Sequence, residues 1–140
     1  MGIPFDELLA DFSSGDIGAQ DNALRLTEEV FGKQLPCDYK EFLAYSNGGE
    51  GYFGKHYLIL WKTDELGKFN KEYQVLEYAA GLILFGSNGG GEGFAFDTRV
   101  VPYKVVLVPF VGMDLQHAIP VADSFVGLLE RMIRTDGPLI

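Results

Sequence analysis

A glycine-rich segment at residues 86–91, Gly-Ser-Asn-Gly-Gly-Gly, is the part of the chain that most resembles a phosphate-binding loop. A P-loop requires a lysine after its last glycine, because that ammonium group reaches the phosphates. Here the last glycine precedes Glu92, and no Lys or Arg lies between Lys71 and Arg99. A dinucleotide-binding turn must open a helix, whereas residues 94–96, Phe-Ala-Phe, are typical of a strand. The glycines therefore predict a hairpin turn that needs positive φ at several positions.

The other side chains that could support catalysis or bind a metal do not form a recognisable site. Cys37 lies at a predicted helix start, where the helix dipole lowers a thiol pKa, but no histidine is near it in the sequence. His56 and His117 are far apart and belong to no metal-binding pattern. Glu92 and Asp97 could form an acid–base pair, although acids beside a turn are more often solvated or bound to backbone groups. We therefore predict no enzyme activity, no cofactor and no metal.

Apolar residues at helical spacing predict five helices. They cover residues 5–12, ended by a polar loop at 13–18; residues 20–31; a segment from Pro36 to the glycines at 48 and 49; a segment from Thr63 to Gly81; and a segment from the Ser124 cap to Ile133. The stripes expected to face the core include Val30 in the second helix and Leu76 in the fourth.

Five runs rich in β-branched and aromatic residues predict strands. They lie at residues 57–61, 82–85, 94–96, 104–109 and 117–121. Helices come first and last and the strands cluster between them, which is typical of α+β proteins. We predict an α+β fold with a central, mostly antiparallel β-sheet flanked by helices from the N-terminal, middle and C-terminal segments. The length fits a single domain over residues 1–140, with an N-terminal helix and loop at 1–18 and a core at 19–134.

The chain is strongly acidic, with a formal net charge of -9 from 11 Lys and Arg against 20 Asp and Glu. This charge opposes binding to nucleic acids or anionic lipid, since both need a basic face. It favours a basic partner that is steered electrostatically, although acidity also serves solubility. Residues 1–31 hold seven acids and one base, and residues 72–98 hold four acids and no base. These two stretches are the candidate acidic surfaces.

No feature of the sequence indicates secretion or membrane insertion. The first residues lack the basic and apolar regions of a signal peptide, and no apolar run approaches the roughly 18 residues that span a membrane. The longest run, residues 100–111, is interrupted by Pro102, Lys104 and Pro109. A single cysteine allows no disulfide within the chain, which fits a reducing compartment. We therefore expect a cytoplasmic protein that does not bind membranes.

Four segments occur in an order and spacing that resemble a known family. They are residues 35–43 (Leu-Pro-Cys-Asp-Tyr-Lys-Glu-Phe-Leu), 46–51 (Ser-Asn-Gly-Gly-Glu-Gly), 84–97 (from Leu-Phe-Gly-Ser to Phe-Ala-Phe-Asp) and 119–129 (from Ile-Pro-Val-Ala-Asp to Leu-Leu). Together they resemble the SUKH superfamily, in the branch named for the yeast cell-wall assembly regulators Smi and Knr. The resemblance runs from Leu24 to Ile133, which is most of the chain.

This resemblance implies both a fold and a role. The implied fold is α+β, with a central, largely antiparallel sheet flanked by helices. Many bacterial members are immunity proteins that neutralise toxins, often nucleases, of polymorphic or contact-dependent systems, and the resemblance implies no enzymatic activity. Fungal members act as scaffolds in cell-wall signalling and carry long disordered flanks, which this sequence does not contain. The immunity interpretation is therefore favoured.

We accordingly predict a non-enzymatic binding protein that occludes a basic toxin domain through acidic side chains and aromatic anchors. The alternatives are a regulatory or scaffold module of the cell-wall-regulator kind and, from a different class, a small-molecule binder or hydrolase that uses the glycine-rich loop. The predicted partner contacts are Glu77, Tyr78, Ser87, Asn88, Glu92 and Asp97, followed by Tyr52 and Phe53. Asp97 is alternatively expected to stabilise the fold, because it matches a recurrent family position, and Tyr78 to pack in the core.

Overall fold

The structure is a computed structural model that describes residues 3–139. Its helices are α1 (Phe5–Leu8), α2 (Asp21–Phe31), α3 (Cys37–Tyr45), α4 (Thr63–Glu72), α5 (Val75–Tyr78) and α6 (Phe125–Arg134), with a 3-10 turn at Leu115–His117. Its strands are β1 (Phe12–Ile17), β2 (Ser46–Phe53), β3 (His56–Leu60), β4 (Leu82–Ser87), β5 (Glu92–Asp97), β6 (Lys104–Pro109) and β7 (Ile119–Ala122). The helix ends follow local chemistry. Gly32 ends α2 with a φ of 65°, and Ser124 Oγ caps α6 by accepting a hydrogen bond from Gly127 N at 3.0 Å.

The strands of the described residues form one seven-stranded sheet, whose spatial order follows the chain from β1 to β7. Every neighbouring pair is antiparallel. Each strand therefore pairs with the strands that precede and follow it in the sequence, and the sheet is a meander. The predicted α+β fold with a central antiparallel sheet is confirmed.

The helices pack on both faces of the sheet. On the first face, α3 and α6 place Tyr39 and Phe125 against Phe85 and Phe96 of the sheet, with ring centroids 5.0 to 5.8 Å apart. Aromatic rings in such offset and edge arrangements stabilise a core beyond their buried area. On the second face, α4 packs against β4, and α2 packs against α4. The hydrophobic core therefore lies on either side of β4 and β5.

The N-terminal segment differs from the prediction. The first helix ends at Leu8, and residues 13–17, predicted as a loop, lie in β1 and pair with β2. Serine and glycine have low strand propensity, but their small size lets these two strands approach closely. A Cβ atom at Gly51 would lie only 2.4 Å from Asp11 O. The glycines at 48 and 49, predicted to end the third helix, likewise lie within β2, because α3 ends at Tyr45.

The fourth predicted helix, from Thr63 to Gly81, is two helices. Between α4 and α5, Gln74 adopts the left-handed region with a φ of 56° and a ψ of 43°. A non-glycine residue there changes the direction of the chain and rotates the apolar stripe. Leu76, predicted to face the core, is therefore 86% exposed. Val30 of α2 is also outside the core, with 68% exposure.

Tyr39 presents a polar atom in the centre of the first-face core. Its side chain is buried among Phe85, Phe96 and Phe125, and its hydroxyl has no hydrogen-bond partner among the described residues. Burial raises the pKa of Tyr39, so the hydroxyl stays protonated. A buried hydroxyl without a partner costs about 1–3 kcal/mol.

Tyr39→Phe is expected to raise the free energy of unfolding by about 1 kcal/mol, because it removes the unpaired hydroxyl and keeps the ring. Urea denaturation of both proteins measures the difference. Tyr103→Phe, at a half-buried tyrosine outside this cluster, is the control for a generic effect of losing a hydroxyl. A lower free energy of unfolding for Tyr39→Phe would contradict the prediction.

Candidate protein-binding surface

The glycine-rich turn between β4 and β5 is held by its own polar side chains. Ser87 Oγ donates to Glu92 O at 3.0 Å and accepts from Gly89 N at 3.0 Å. Asn88 Nδ2 donates to Glu92 Oε1 at 3.1 Å, and Asn88 Oδ1 accepts from Gly90 N at 2.8 Å. Ser87 is 8% exposed. These hydrogen bonds build a rigid hairpin, as the sequence predicts, and they occupy the polar groups of Ser87 and Asn88.

The turn rests against a set of exposed side chains on the second face of β2 and β3. A Cβ atom at Gly89 would lie 3.7 Å from Tyr57 Cδ2 and 3.8 Å from Ile59 Cδ1. Tyr52 stands opposite Tyr57, and Glu50 stands opposite Ile59. Directly opposite residues in an antiparallel pair point to the same face. We call Glu50, Tyr52, Tyr57 and Ile59 the tyrosine face.

Internal contacts fix the tyrosine face before any partner arrives. The rings of Tyr52 and Tyr57 meet edge to face with centroids 5.0 Å apart. The Tyr57 hydroxyl donates a hydrogen bond to Glu50 Oε2, and this bond raises the pKa of Tyr57. Tyr52 is nevertheless 53% exposed. A rigid, half-exposed tyrosine loses little conformational entropy on binding, which is the property of an interface anchor.

The tyrosine face continues into a groove of about 430 Å³ that leads towards α4. Glu50 and Ile59 form one end of the groove, while Trp61, Glu65 and Phe69 form the other. The Trp61 and Phe69 rings are in contact, with centroids 4.7 Å apart. The surface therefore combines the exposed Tyr52 with acidic groups over two strands and a helix, while the Trp61 ring beneath it is buried, at 7% exposure.

The predicted contact residues fall at two ends of the sheet. Tyr52, Ser87, Asn88 and Glu92 lie at the end that contains the tyrosine face. Glu77 and Tyr78 lie in α5, which precedes the opposite end of β4, and both are exposed. Five residue steps along β4 separate the two ends by ~17 Å. Residues 72–98, which contain four acids and no base, therefore do not form one surface. Tyr78, at 51% exposure, does not pack in the core.

Two predicted contacts are structural residues. Phe53 is 1% exposed on the first face, where its ring lies 5.5 Å from that of Phe12, so it cannot anchor a partner without unfolding. Asp97 is 8% exposed and binds Arg99, with distances of 2.9 Å to Nε, 3.0 Å to Nη2 and 3.0 Å to the backbone N. The alternative role proposed for Asp97, stabilisation of the fold, is the one that this geometry fits.

Replacing Asp97 by asparagine is expected to lower the free energy of unfolding by about 1–2 kcal/mol near neutral pH, because a bidentate charge-assisted contact is lost. Arg99 is 47% exposed, so solvent screening keeps the effect modest. The hydrogen bonds from Arg99 lower the pKa of Asp97. Because the pKa of Asp97 is lower in the folded state, its ionised carboxylate stabilises the fold at pH values above the unfolded-state pKa. This stabilisation is lost as the pH falls through the folded-state pKa.

Urea denaturation near pH 7 and at successively lower pH therefore tests the Asp97 pair, because the difference between the two proteins should begin to shrink only below the unfolded-state pKa of about 3.9 and should keep falling as Asp97 becomes protonated in the folded state. Asp123→Asn is the matched control, since Asp123 pairs with Lys104 at 3.0 Å but its side chain is 91% exposed. A difference between wild type and Asp97→Asn that stays constant with pH would contradict the assignment.

Sequence reasoning did not select Glu50, Tyr57 or Ile59 as contacts. The sequence does contain a signal for this surface. Residues two apart in a strand point to the same face, as Glu50 and Tyr52 do in β2 and Tyr57 and Ile59 do in β3. The run from Tyr57 to Trp61 has no polar residue and predicts a strand covered on both faces. Its second face is instead partly open, since Tyr57 and Ile59 are only half-buried.

The polar groups of the remaining candidates are dispersed. Within residues 3–139, no group of three or more His, Cys, Asp or Glu side chains is placed to hold a metal ion. His56 Nε2 donates to Thr135 O at 2.7 Å, and His117 Nδ1 lies 3.2 Å from Asp114 Oδ2. Across the same residues, no helix has both the length and the apolar composition needed to cross a membrane.

Comparison with known proteins agrees with the four sequence motifs. The sequence profile described as the SMI1 / KNR4 family (SUKH-1) matches residues 18–131. No individual curated protein matches the chain. The matched region contains α2 to β7 and most of α6, and so includes the tyrosine face and the glycine-rich hairpin. Because this match covers most of its length, the chain belongs to the SMI1 / KNR4 family (SUKH-1).

Proposed function

We propose that the chain is a non-enzymatic immunity protein that neutralises a basic toxin domain by binding it through the tyrosine face. The observation that carries this proposal is the half-exposed Tyr52, held edge to face on Tyr57 beside Glu50. Tyrosines in rigid surroundings are common interface anchors. The role is the one that the family resemblance implies for compact bacterial members.

Charge supports a basic partner at this surface. Glu50 belongs to the tyrosine face, Glu92 to the adjoining hairpin, and Glu65 to the groove, whose lining also includes the base Lys62. Asp11 lies alongside, since its backbone oxygen accepts a hydrogen bond from Tyr52 N. A net charge of -9 adds a long-range attraction for a cation-rich protein. Such complementarity mainly raises the association rate and sets specificity.

The test is co-expression with the toxin domain encoded by the neighbouring gene, scored by cell survival and by co-purification. Wild type is expected to protect the cells and to form a complex. In a binding titration with the purified complex partners, Tyr52→Ala is expected to weaken the affinity by about 30-fold, which corresponds to about 2 kcal/mol.

Tyr78→Ala is the matched control, because Tyr78 has 51% exposure against 53% for Tyr52 but lies at the opposite end of β4. It is expected to bind like wild type. Glu50→Gln keeps an acceptor for the Tyr57 hydroxyl and removes only the charge, so it should slow association and reduce its salt dependence. Absence of rescue and of a complex would overturn the proposal, and a loss caused by Tyr78→Ala alone would overturn the choice of surface.

A further inference from the structure

The first strand of the sheet has one side that no other described strand covers. β1 pairs with β2 on its inner side and is one of the two outermost strands. Among the described elements, only β2 makes extensive contact with β1. Ser13, Ser14 and Ile17 are exposed. The outward side of β1 is therefore an open edge, where peptide groups can pair with another chain. We call it the β1 edge.

The register shows which peptide groups of β1 point outward. Tyr52 N donates to Asp11 O at 3.1 Å, so these two residues form a hydrogen-bonded pair. Such pairs alternate with non-hydrogen-bonded pairs along an antiparallel ladder, and Ser13 therefore bonds to β2 again. The N–H and C=O groups of Ser14, the next residue, point away from β2. Among residues 3–139, no hydrogen bond outside the strand ladders involves either group.

The composition of β1 does not protect this edge. Proteins commonly block an edge strand with proline, with lysine or with a covering helix. β1 has six residues and contains neither proline nor lysine. The side chains of Ser13 and Ser14 are short, which leaves the backbone accessible to a second strand. An extended segment can therefore add to β1, which is the mode of peptide recognition known as β-augmentation.

The β1 edge adjoins the tyrosine face. Ser13 stands opposite Glu50, and Glu50 stands opposite Ile59, so these side chains form a row across three strands on the second face. Ser13 and Ser14 also line the groove to which Glu50 belongs. A strand added to β1 would lie ~5 Å beyond it. Such a strand would extend the tyrosine face, and one partner could contact both.

The charges along the β1 edge favour a basic segment. Asp11, directly before the strand, and Glu50, opposite Ser13, are both exposed. No Lys or Arg occurs in the sequence before Arg25. The groove contains the base Lys62, but Glu50 and Glu65 line it as well. A second copy of the chain is disfavoured here, because it would bring together two acidic edges of molecules that each have a net charge of -9.

We infer that the partner of the tyrosine face contributes an extended, basic segment that pairs with β1 as an added strand of the sheet. This inference rests on the proposed function, because it states how the toxin domain is held. The segment exchanges backbone hydrogen bonds with the N–H and C=O groups of Ser14. Its basic side chains on the second face lie beside Glu50. Backbone pairing then supplies affinity, while the side chains that meet Glu50 and Tyr52 supply specificity.

Amide hydrogen exchange, resolved by residue with NMR, tests strand addition in the free chain and in its complex with the toxin domain encoded by the neighbouring gene. In the free chain the Ser14 N–H is expected to exchange rapidly, whereas the Tyr52 N–H, bonded to Asp11 O, is protected. In the complex the exchange of the Ser14 N–H is expected to slow by at least about 100-fold, because it becomes hydrogen-bonded to the added strand.

Ser14→Pro removes the outward N–H and is compatible with the β1–β2 ladder, since this N–H does not bond to β2. In a titration with the toxin domain it is expected to weaken the affinity by at least about 10-fold. Ser14→Val is the matched control, because it keeps the N–H and changes only an exposed side chain. It is expected to bind like wild type. Continued protection of the Tyr52 N–H shows that β1 still pairs with β2 in the proline variant.

The outcomes separate the inference from the proposed function. A complex in which the Ser14 N–H exchanges as fast as in the free chain overturns strand addition and leaves the proposed function in place. Equal affinities of Ser14→Pro and wild type have the same consequence. Absence of a complex overturns both. Protection of the Ser14 N–H in the free chain that grows with its concentration would make a second copy the occupant of the edge, and would also overturn the inference.

Discussion

Asn70→Leu is expected to lower the free energy of unfolding by about 2–5 kcal/mol, because it leaves buried backbone polar groups without partners. Asn70 is 8% exposed, and its side-chain amide forms hydrogen bonds with β4 that the backbone of a neighbouring strand would otherwise form. Its Oδ1 accepts from Leu84 N at 2.9 Å, and its Nδ2 donates to Leu84 O at 2.9 Å and to Leu66 O at 2.8 Å.

The position of β3 explains why this amide is needed. β3 pairs with β4 only at Gly86 and Ser87, so it does not reach Leu84. The amide of Asn70 replaces the peptide group that a longer β3 would offer. Leucine has a similar volume but no polar atoms, and it leaves a buried backbone N–H and C=O without partners at a cost of about 1–3 kcal/mol each.

Thermal and urea denaturation measure the effect of Asn70→Leu, for which we expect a fall in Tm of about 10 °C. Asn22→Leu in α2 is the control, because Asn22 is exposed and its side chain, among residues 3–139, bonds only to the adjacent Ala23 N at 2.9 Å. Surface changes of that kind stay within about 0.5 kcal/mol. Equal stability of the Asn70 and Asn22 variants would show that β4 does not depend on the amide.

Gly86→Ala is expected to destabilise the protein by at least about 3 kcal/mol, because a new methyl group has no space at the β3–β4 junction. A Cβ atom there would lie 2.3 Å from Ile59 O and 3.2 Å from Leu60 Cδ2. The nearer atom belongs to the backbone of a paired strand and cannot rotate away. Relief requires β3 to separate from β4, which would also displace the tyrosine face.

Gly90→Ala is the matched control for Gly86→Ala, since it lies in the same hairpin. The nearest atom to its Cβ would be Asn88 Oδ1 at 3.5 Å, an ordinary contact, and its φ is not in the left-handed region. Denaturant unfolding and amide hydrogen exchange of β3 measure the two variants. If Gly86→Ala were as stable as Gly90→Ala, the close approach of the two strands would be contradicted.

The fold class follows from the sequence because it depends on local periodicity. The stripe of α6 and the valine-rich run of β6 are visible without any tertiary information, and both were placed correctly. Segments whose conformation depends on residues distant in the sequence were not placed correctly. β1 exists because small residues in two strands permit close pairing, and α4 ends because Gln74 leaves the helical region, although the apolar stripe continues past it.

The candidate site was harder to predict than the fold for a physical reason. Asn88 and Glu92 were found because they belong to one hairpin, four residues apart. The tyrosine face itself comes from pairing between β2 and β3, and Gly89, thirty residues after Ile59, contacts it from the hairpin. A single buried amide such as Asn70 gives no signal at all, because asparagine in a helix is ordinarily a surface residue.

The meander order of the sheet also bears on how the chain is synthesised. Each strand that leaves the ribosome finds its partner already made, so the growing sheet has a new open edge at every stage, and such an edge can recruit another chain. The last strand, Ile119–Ala122, has four residues and contains Pro120, which has no N–H to donate to a further strand. Synthesis of β7 therefore ends the exposure of an extendable edge on one side of the sheet, whereas β1, which has six residues and no proline, is the other edge of the finished sheet.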